Sequence, residues 1–176
     1  MATEANTSQE RILIIDDESG IRDLLTEFLT EEGYSVESVS SSNEAQTKLK
    51  NDANFDLLLL DLQLGGGPDG LQVLERLRKA GNEIPVIMMT AHGTSSSAIR
   101  AMQMGAYDYL PKPFELDEVL VVVRRLFEHQ ALASRVRALE ADQNIRERMI
   151  GKSPAMREIY KTIGRVADSE ASVLIT

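Results

Sequence analysis

The sequence predicts a doubly wound α/β fold, a five-stranded parallel sheet covered by helices on both faces, and two observations carry that expectation. Strand-like and helix-like segments alternate five times with short connections, the pattern of successive βα units. The strand-like segments, RILII and LLLL among them, are unbroken apolar runs, whereas a sheet with one wet face would alternate apolar and polar residues.

After a polar tail over residues 1–10, Arg11 to Ile15 reads as a buried strand that runs into the acidic cluster Asp16-Asp17-Glu18. Ile21, Leu24, Leu25, Phe28 and Leu29 then recur at helical spacing, and Gly33 stops the helix. Ser35 to Val39 is short and β-prone, and Asn43 in the run SSSNE is the expected N-cap of a helix reaching about Lys50. Leu57 to Leu60 form the third strand, ending at Asp61, and the loop LGGGPDG leads to a helix with Leu71, Val73, Leu74 and Leu77. Pro85 to Met89 is the fourth strand, followed by Thr90 and a Gly/Ser-rich loop into a helix that ends near Gly105. A short strand at Tyr107 to Leu110 meets Pro111-Lys112-Pro113, and Leu116 opens a long last helix.

Doubly wound sheets place their sites at the carboxyl ends of the strands. Asp16 and Asp17, Asp61, Thr90 and Lys112 each lie at such an end, on four different strands, so one crevice collects them. Crowded carboxylates repel one another unless a cation compensates, and oxygen ligands without Cys or His favour a hard ion. Mg²⁺ suits few carboxylates that keep waters and meet a phosphate. A Lys charge and a Thr hydroxyl on the same edge are what a transferred phosphoryl group needs, and Asp61, alone at the middle strand end, is the best nucleophile.

Composition narrows the class. At 176 residues, 43% hydrophobic and 27% charged, the chain reads as a globular domain with an appendage, and no apolar run reaches membrane-spanning length. A net charge of −9 argues against nucleic-acid binding by this portion, because neutralising phosphates takes clustered Lys and Arg. The N-terminus has no signal-peptide pattern and there are no cysteines, so a cytoplasmic location is expected.

The segments ILIIDDES, LLLLDLQL, PVIMMTAHG and DYLPKPF, in this order and spacing, resemble the response-regulator receiver family. The resemblance implies a flavodoxin-like sheet in strand order 2-1-3-4-5 and a phosphoacceptor that is not an enzyme in its own right. It also implies Mg²⁺ held by Asp16, Asp17, Asp61 and the backbone carbonyl of Gln63, and a sensor histidine kinase that delivers phosphate to Asp61. Thr90 and Lys112 would contact the phosphoryl oxygens, and the bond from Lys112 to Pro113 would be cis. Thr90 and Tyr109 would form a switch acting on the fourth helix, fifth strand and fifth helix; Tyr109 could equally be a packed ring with a wet hydroxyl. In one respect the chain departs from the family: Gly65-Gly66-Gly67-Pro68 stands where a Pro and a loop one residue shorter are usual. Three glycines predict a more flexible loop beside the acceptor.

The receiver is expected over residues 11–128 and a helical linker, a candidate coiled coil, over 129–148. The apolar stripe of the last helix, from Leu116 through Val119, Leu120, Val123, Leu126 and Phe127, continues as Leu132, Val136 and Leu139. The seam shifts after Phe127, and Gln143 and Asn144 interrupt it, so homodimerisation through the last helix and linker rests mainly on the resemblance. Residues 149–176 resemble the opening of the AAA+ domain of nitrogen-regulation-type, sigma-54-dependent activators. Gly151-Lys152-Ser153 is no P-loop, since the earlier Gly would fall at Arg146. DNA and sigma-54 RNA polymerase would be engaged by further domains of such a protein.

Other readings stand beside these. Asp16 and Asp17 could be solvated acids at a helix start, Asp61 a strand-end cap and Lys112 a surface charge, though the set in register is not common. His92 and His129 are expected as surface residues, and Met88, Met89, Met102 and Met104 as packing. A Mg²⁺-dependent phosphatase would carry a second acid where Gln63 stands. A flavin-type binding module would follow its first strand with a phosphate cradle, where this chain has Asp16-Asp17-Glu18.

Overall fold

The computed structural model describes residues 9–52, 54–65, 67–91 and 95–147, without the side chains of 95–96 and 136–147. His92, Gly66 and the expected AAA+ segment 149–176 lie outside the described residues, as do the side chains of Val136, Leu139, Gln143 and Asn144. The order is β1 (Arg11–Ile15), α1 (Ser19–Glu31), β2 (Ser35–Val39), α2 (Ser42–Asn51), β3 (Leu57–Asp61), α3 (Gly70–Lys79), β4 (Val86–Thr90), α4 (Ser95–Gln103), β5 (Asp108–Pro111) and α5 (Leu116–Glu147). The strands form one parallel sheet in the order β2-β1-β3-β4-β5, as the sequence predicts.

The apolar runs explain why β1, β3 and β4 form the interior of the sheet. Ile12 to Ile15 and Leu57 to Leu60 are entirely buried, and each fully buried Leu or Ile contributes about 1.5–3 kcal/mol. The pleat divides them between two faces. Leu13, Ile15, Leu58, Leu60, Val86 and Met88 pack with Ala45 of α2, Leu71 and Leu74 of α3 and Ala101 of α4. Alternate residues face the other side, where α1 buries Leu25 and Leu29 against the sheet. Arg124 of α5 pairs with Glu32 at the end of α1 at 2.6 Å.

Local chemistry sets the element ends. Gly33, at φ 99°, closes α1, and the next amide, of Tyr34, donates to the carbonyl of Leu29 at 3.0 Å. The start of α2 lies earlier than the Asn43 cap expected from sequence. Ser41 Oγ accepts from the amide of Glu44 at 3.3 Å, and the Glu44 carboxylate accepts from the amide of Ser40 at 3.0 Å, so Ser41 is the N-cap. Asp69 caps α3 in the same way, accepting from the amide of Gln72 at 2.8 Å. β5 runs one residue further than expected because Pro111 registers with Thr90 and the Lys112 amide donates to the Thr90 carbonyl at 2.7 Å. A Pro is tolerated there because β5 is an edge strand.

Arg78 is a half-buried cation away from the strand ends. Its guanidinium donates to the carbonyls of Asn82 at 2.8 Å, Ile84 at 3.0 Å and Gly105 at 2.9 Å, joining the α3–β4 connection to the α4–β5 turn. Burial lowers its pKa and the charge of Glu83 opposes this. Met88 and Met89 are buried as expected, but Met102 is 44% exposed on α4. His129 is exposed, as expected.

The chain divides into two compact units, Met1–Arg125 and Leu126–Thr176. The first holds the sheet, and the second begins within α5 and is helical to Glu147, with Leu132 57% exposed. Among the described residues no helix is long and apolar enough to cross a membrane.

The tightest backbone contact lies where α3 leaves the site. A Cβ at Gly70 would fall 2.2 Å from the carbonyl oxygen of Asp61 and 3.0 Å from Leu62 Cα, both backbone atoms that no rotamer change can clear. Gly70→Ala is expected to destabilise the chain by about 3 kcal/mol, measured by urea unfolding. Wild-type stability in that variant would refute the contact.

Candidate functional site

β1, β3 and β4 end on the same edge of the sheet, and their last residues, with the turn after β5, build the site. Asp16 follows β1 and is completely buried; Asp61 is the last residue of β3 and is 4% exposed. Asp16, Asp17 and Asp61 each offer a carboxylate oxygen within 4.8 Å of the others. Lys112, brought over by the cis Lys112-Pro113 turn after β5, places Nζ 2.7 Å from Asp16 Oδ2, 3.4 Å from Asp61 Oδ2 and 3.3 Å from Glu18 Oε1. Its side chain is only 7% exposed, so the ammonium is shared among three acids with little help from water.

Backbone amides orient the carboxylates. Asp16 Oδ1 accepts from the amide of Glu18 at 2.9 Å, Asp17 Oδ2 from the amide of Gly65 at 3.0 Å, and Asp61 from the amide of Gln63. The Asp16 carbonyl accepts from Arg22 at 2.7 Å. Asp17, Asp61, Gln63, Leu64, Gly65 and Ala91 line an open cleft above the carboxylates.

Burial pushes the Asp61 carboxyl from its ordinary 3.8 up to about 6; the Asp16 charge adds to the rise, while Lys112 and the Gln63 amide oppose it. Burial alone would lower the Lys112 pKa, but the hydrogen bond to Asp16 and the charges of Asp61 and Asp16 outweigh it and raise it. The carboxylates of Asp16, Asp17, Asp61 and Glu18 outnumber the one ammonium, leaving negative charge in excess in an oxygen-only donor set. That arrangement fits a hard divalent cation.

Thr90 ends β4 on the same edge. It is 3% exposed, and its buried Oγ1 has no hydrogen-bond partner among the described residues. An unsatisfied buried hydroxyl costs about 1–3 kcal/mol, which suits a group whose partner arrives with a ligand. Tyr109 is not part of the cluster. It lies on edge strand β5 in register with Met88, and its ring is 42% exposed.

The sequence singled out Asp16, Asp17, Asp61, Thr90, Lys112 and Gln63, and all six lie at this edge. It missed Glu18 as a partner of Lys112 and the Gly65 amide as a partner of Asp17. Two glycines of the Gly-rich loop make close contacts that the sequence did not suggest. Gly65 sits against Asp17, and a Cβ at Gly67 would fall 2.9 Å from Ser42 Oγ, so these glycines supply space for close contacts.

The comparisons with known proteins agree with this geometry. Residues 12–124 match the response regulator receiver domain family. The chain is 37% identical over 164 residues to the DNA-binding transcriptional regulator NtrC of Proteus hauseri, covering 93% of this chain and 34% of that protein. It is 37% identical over 172 residues to the alginate biosynthesis transcriptional regulatory protein AlgB of Pseudomonas putida, covering 97% of this chain and 38% of that protein. Among solved structures, the receiver domain of NtrX from Brucella abortus superposes with a TM-score of 0.63 at 36% identity, covering 66% of this chain and 98% of that one. A longer NtrX structure, in complex with ADP, gives a TM-score of 0.68 at 35% identity, over 90% of this chain and 34% of that one. The chain spans about a third of the length of the curated relatives it matches. It belongs to the response regulator receiver domain family. Within that family it is of the NtrC and NtrX kind, a receiver domain of a two-component response regulator.

The raised pKa has a consequence for the metal-free protein. The folded state keeps the Asp61 proton to higher pH than the unfolded chain does. This contribution to stability is therefore full below about pH 4 and lost as pH rises through about 6. Asp61→Asn is expected to gain about 2 kcal/mol over wild type at pH 8 without metal, with the gain fading below pH 4. Urea unfolding at the two pH values measures it, and a gain equal at both would contradict the assignment.

Proposed function

We propose that this chain is the phosphoacceptor of a two-component relay, taking phosphate from a sensor histidine kinase onto Asp61. The observation that carries the reading is a buried Asp61 carboxylate in ion-pair contact with Lys112 and grouped with Asp16 and Asp17. An Asp61 carboxylate oxygen attacks phosphorus in line; the new O–P bond forms as the N–P bond to the kinase imidazole breaks, and the imidazole leaves with a proton. Asp16, Asp17, Asp61 and the Gln63 carbonyl would hold Mg²⁺, which when bound would supply neutralising charge for the phosphoryl oxygens. Lys112 shifts part of its contact from the acids to a phosphoryl oxygen, and the Thr90 hydroxyl gains the partner it lacks. Both groups act on a transferred phosphoryl, so the chain is an acceptor that assists its own phosphorylation and dephosphorylation.

The switch couples Thr90 to Tyr109, whose ring is exposed on the edge strand. The output surface is α4, β5 and α5, where Ile99, Met102, Tyr109 and Val121 are exposed and Arg125 pairs with Asp108. Exposed apolar groups on these elements support homodimerisation there and through the linker helix. The domain reading is a receiver over 11–128, a linker over 129–148, and the opening of an AAA+ domain over 149–176. The 172-residue match to AlgB, which runs well past the receiver, supports it. Phosphorylation would then control the ATPase of a cytoplasmic, sigma-54-dependent activator, whose other domains engage DNA and polymerase.

Incubation with a small phosphodonor and Mg²⁺, followed by intact mass, is expected to show one labile phosphoryl adduct on wild type and none on Asp61→Asn. A folded wild-type chain without an adduct would sink the acceptor reading. Sedimentation at micromolar concentration with and without a phosphoryl mimic is expected to show a dimer in at least one state. A monomer in both would remove the dimer.

A further inference from the structure

The two acids after β1 are held by different means. Asp16 is completely buried and fixed by Lys112 and the Glu18 amide. Asp17 is exposed, and the donor that orients it comes from the β3–α3 loop, the backbone N–H of Gly65, 3.0 Å from Asp17 Oδ2. A Cβ at position 65 would fall 2.9 Å from that same oxygen, so a larger residue there crowds the carboxylate and the Asp17 side chain would have to shift. The backbone there does not take the left-handed conformation, so what glycine contributes is space and not a positive φ. A carboxylate that accepts one amide on Oδ2 still has a further oxygen and lone pairs with which to meet a cation together with Asp16 and Asp61.

We propose that the Gly65 amide is a positioning group for cation uptake: it holds the Asp17 carboxylate in the orientation that completes the three-acid set, coupling the β3–α3 loop to the metal site. The inference rests on the reading of this cluster as a Mg²⁺ site. Without the amide, an exposed Asp side chain moves among its rotamers, and an arriving ion must order it at an entropic cost. Partners that orient a ligand from the outer shell are commonly worth 10–100-fold in metal affinity. A Pro, the residue usual in this loop of the family, has no N–H to donate. The glycine run thus replaces a rigid loop by one that is anchored through the acid it positions.

Two measurements on the full chain test this. In Mg²⁺ titration calorimetry, Gly65→Pro, which removes the donor, and Gly65→Ala, which crowds the oxygen, are each expected to bind about tenfold more weakly than wild type. In metal-free hydrogen exchange by NMR, the Gly65 amide is expected to exchange about tenfold faster in Asp17→Ala than in wild type, with the amides of β1 and β3 unchanged. The exchange measurement needs no variant at Gly65, so it decides the matter even where Gly65→Pro does not fold. Wild-type Mg²⁺ affinity in a folded Gly65→Pro, or Gly65 exchange indifferent to Asp17→Ala, overturns the proposal and leaves the acceptor reading standing. A wild-type chain that binds no Mg²⁺ and accepts no phosphoryl group overturns both.

Discussion

The structure is organised around one ammonium group. Lys112 stands within ion-pair distance of Asp16, Asp61 and Glu18, and its side chain, like those of Asp16 and Asp61, is almost fully buried, where charges interact more strongly than at the surface. Without it, Asp16 and Asp61 would be buried acids whose carboxylates lose their ion-pair partner, an arrangement costing several kcal/mol. With it, the cluster is still short of positive charge, and that deficit makes the site receptive to a divalent ion. The fold must therefore bring a lysine from its edge strand to two acids borne by its central strands.

A parallel sheet does this through register. β1 and β3 are neighbours, so Asp16 and Asp61 meet at adjacent ends; β4 and β5 follow, and Pro111 opposite Thr90 places Lys112 just beyond the edge. Every strand points its carboxyl end the same way, so side chains remote in sequence converge without a long loop. The apolar runs that make the sheet stable also keep the site dry, since the residues immediately before Asp16 and Asp61 are buried on both faces. Stability and electrostatics are thus two results of the same segments.

Much of this was legible in the sequence, for identifiable reasons. LLLLD and VIMMT are unbroken apolar stretches ending in a polar residue, which marks both the strand and the end that faces the site. Boundaries set by side-chain caps were less legible: Ser41 caps α2 although Asn43 is an equally good candidate by type. Contacts between loops were not legible at all. Glu18 meets Lys112 across 94 residues of chain, and Gly65 meets Asp17 across 48; nothing local encodes either meeting. A glycine run looks the same in sequence whether it frees a loop or lets it approach another group, and here close approach accounts for Gly65 and Gly67.

Arg78 gives α4 unequal ends. Its guanidinium ties the turn that leaves the helix, through the Gly105 carbonyl, to the α3–β4 connection, where it also holds the carbonyls of Asn82 and Ile84. The other end of α4 follows the Thr90 edge. A rod held at one end rotates about that end when the other is displaced, so a displacement beside Thr90 would tilt the α4 axis. Ile99 and Met102, both exposed on α4, would then turn with the helix, changing the angle at which their apolar surface is presented.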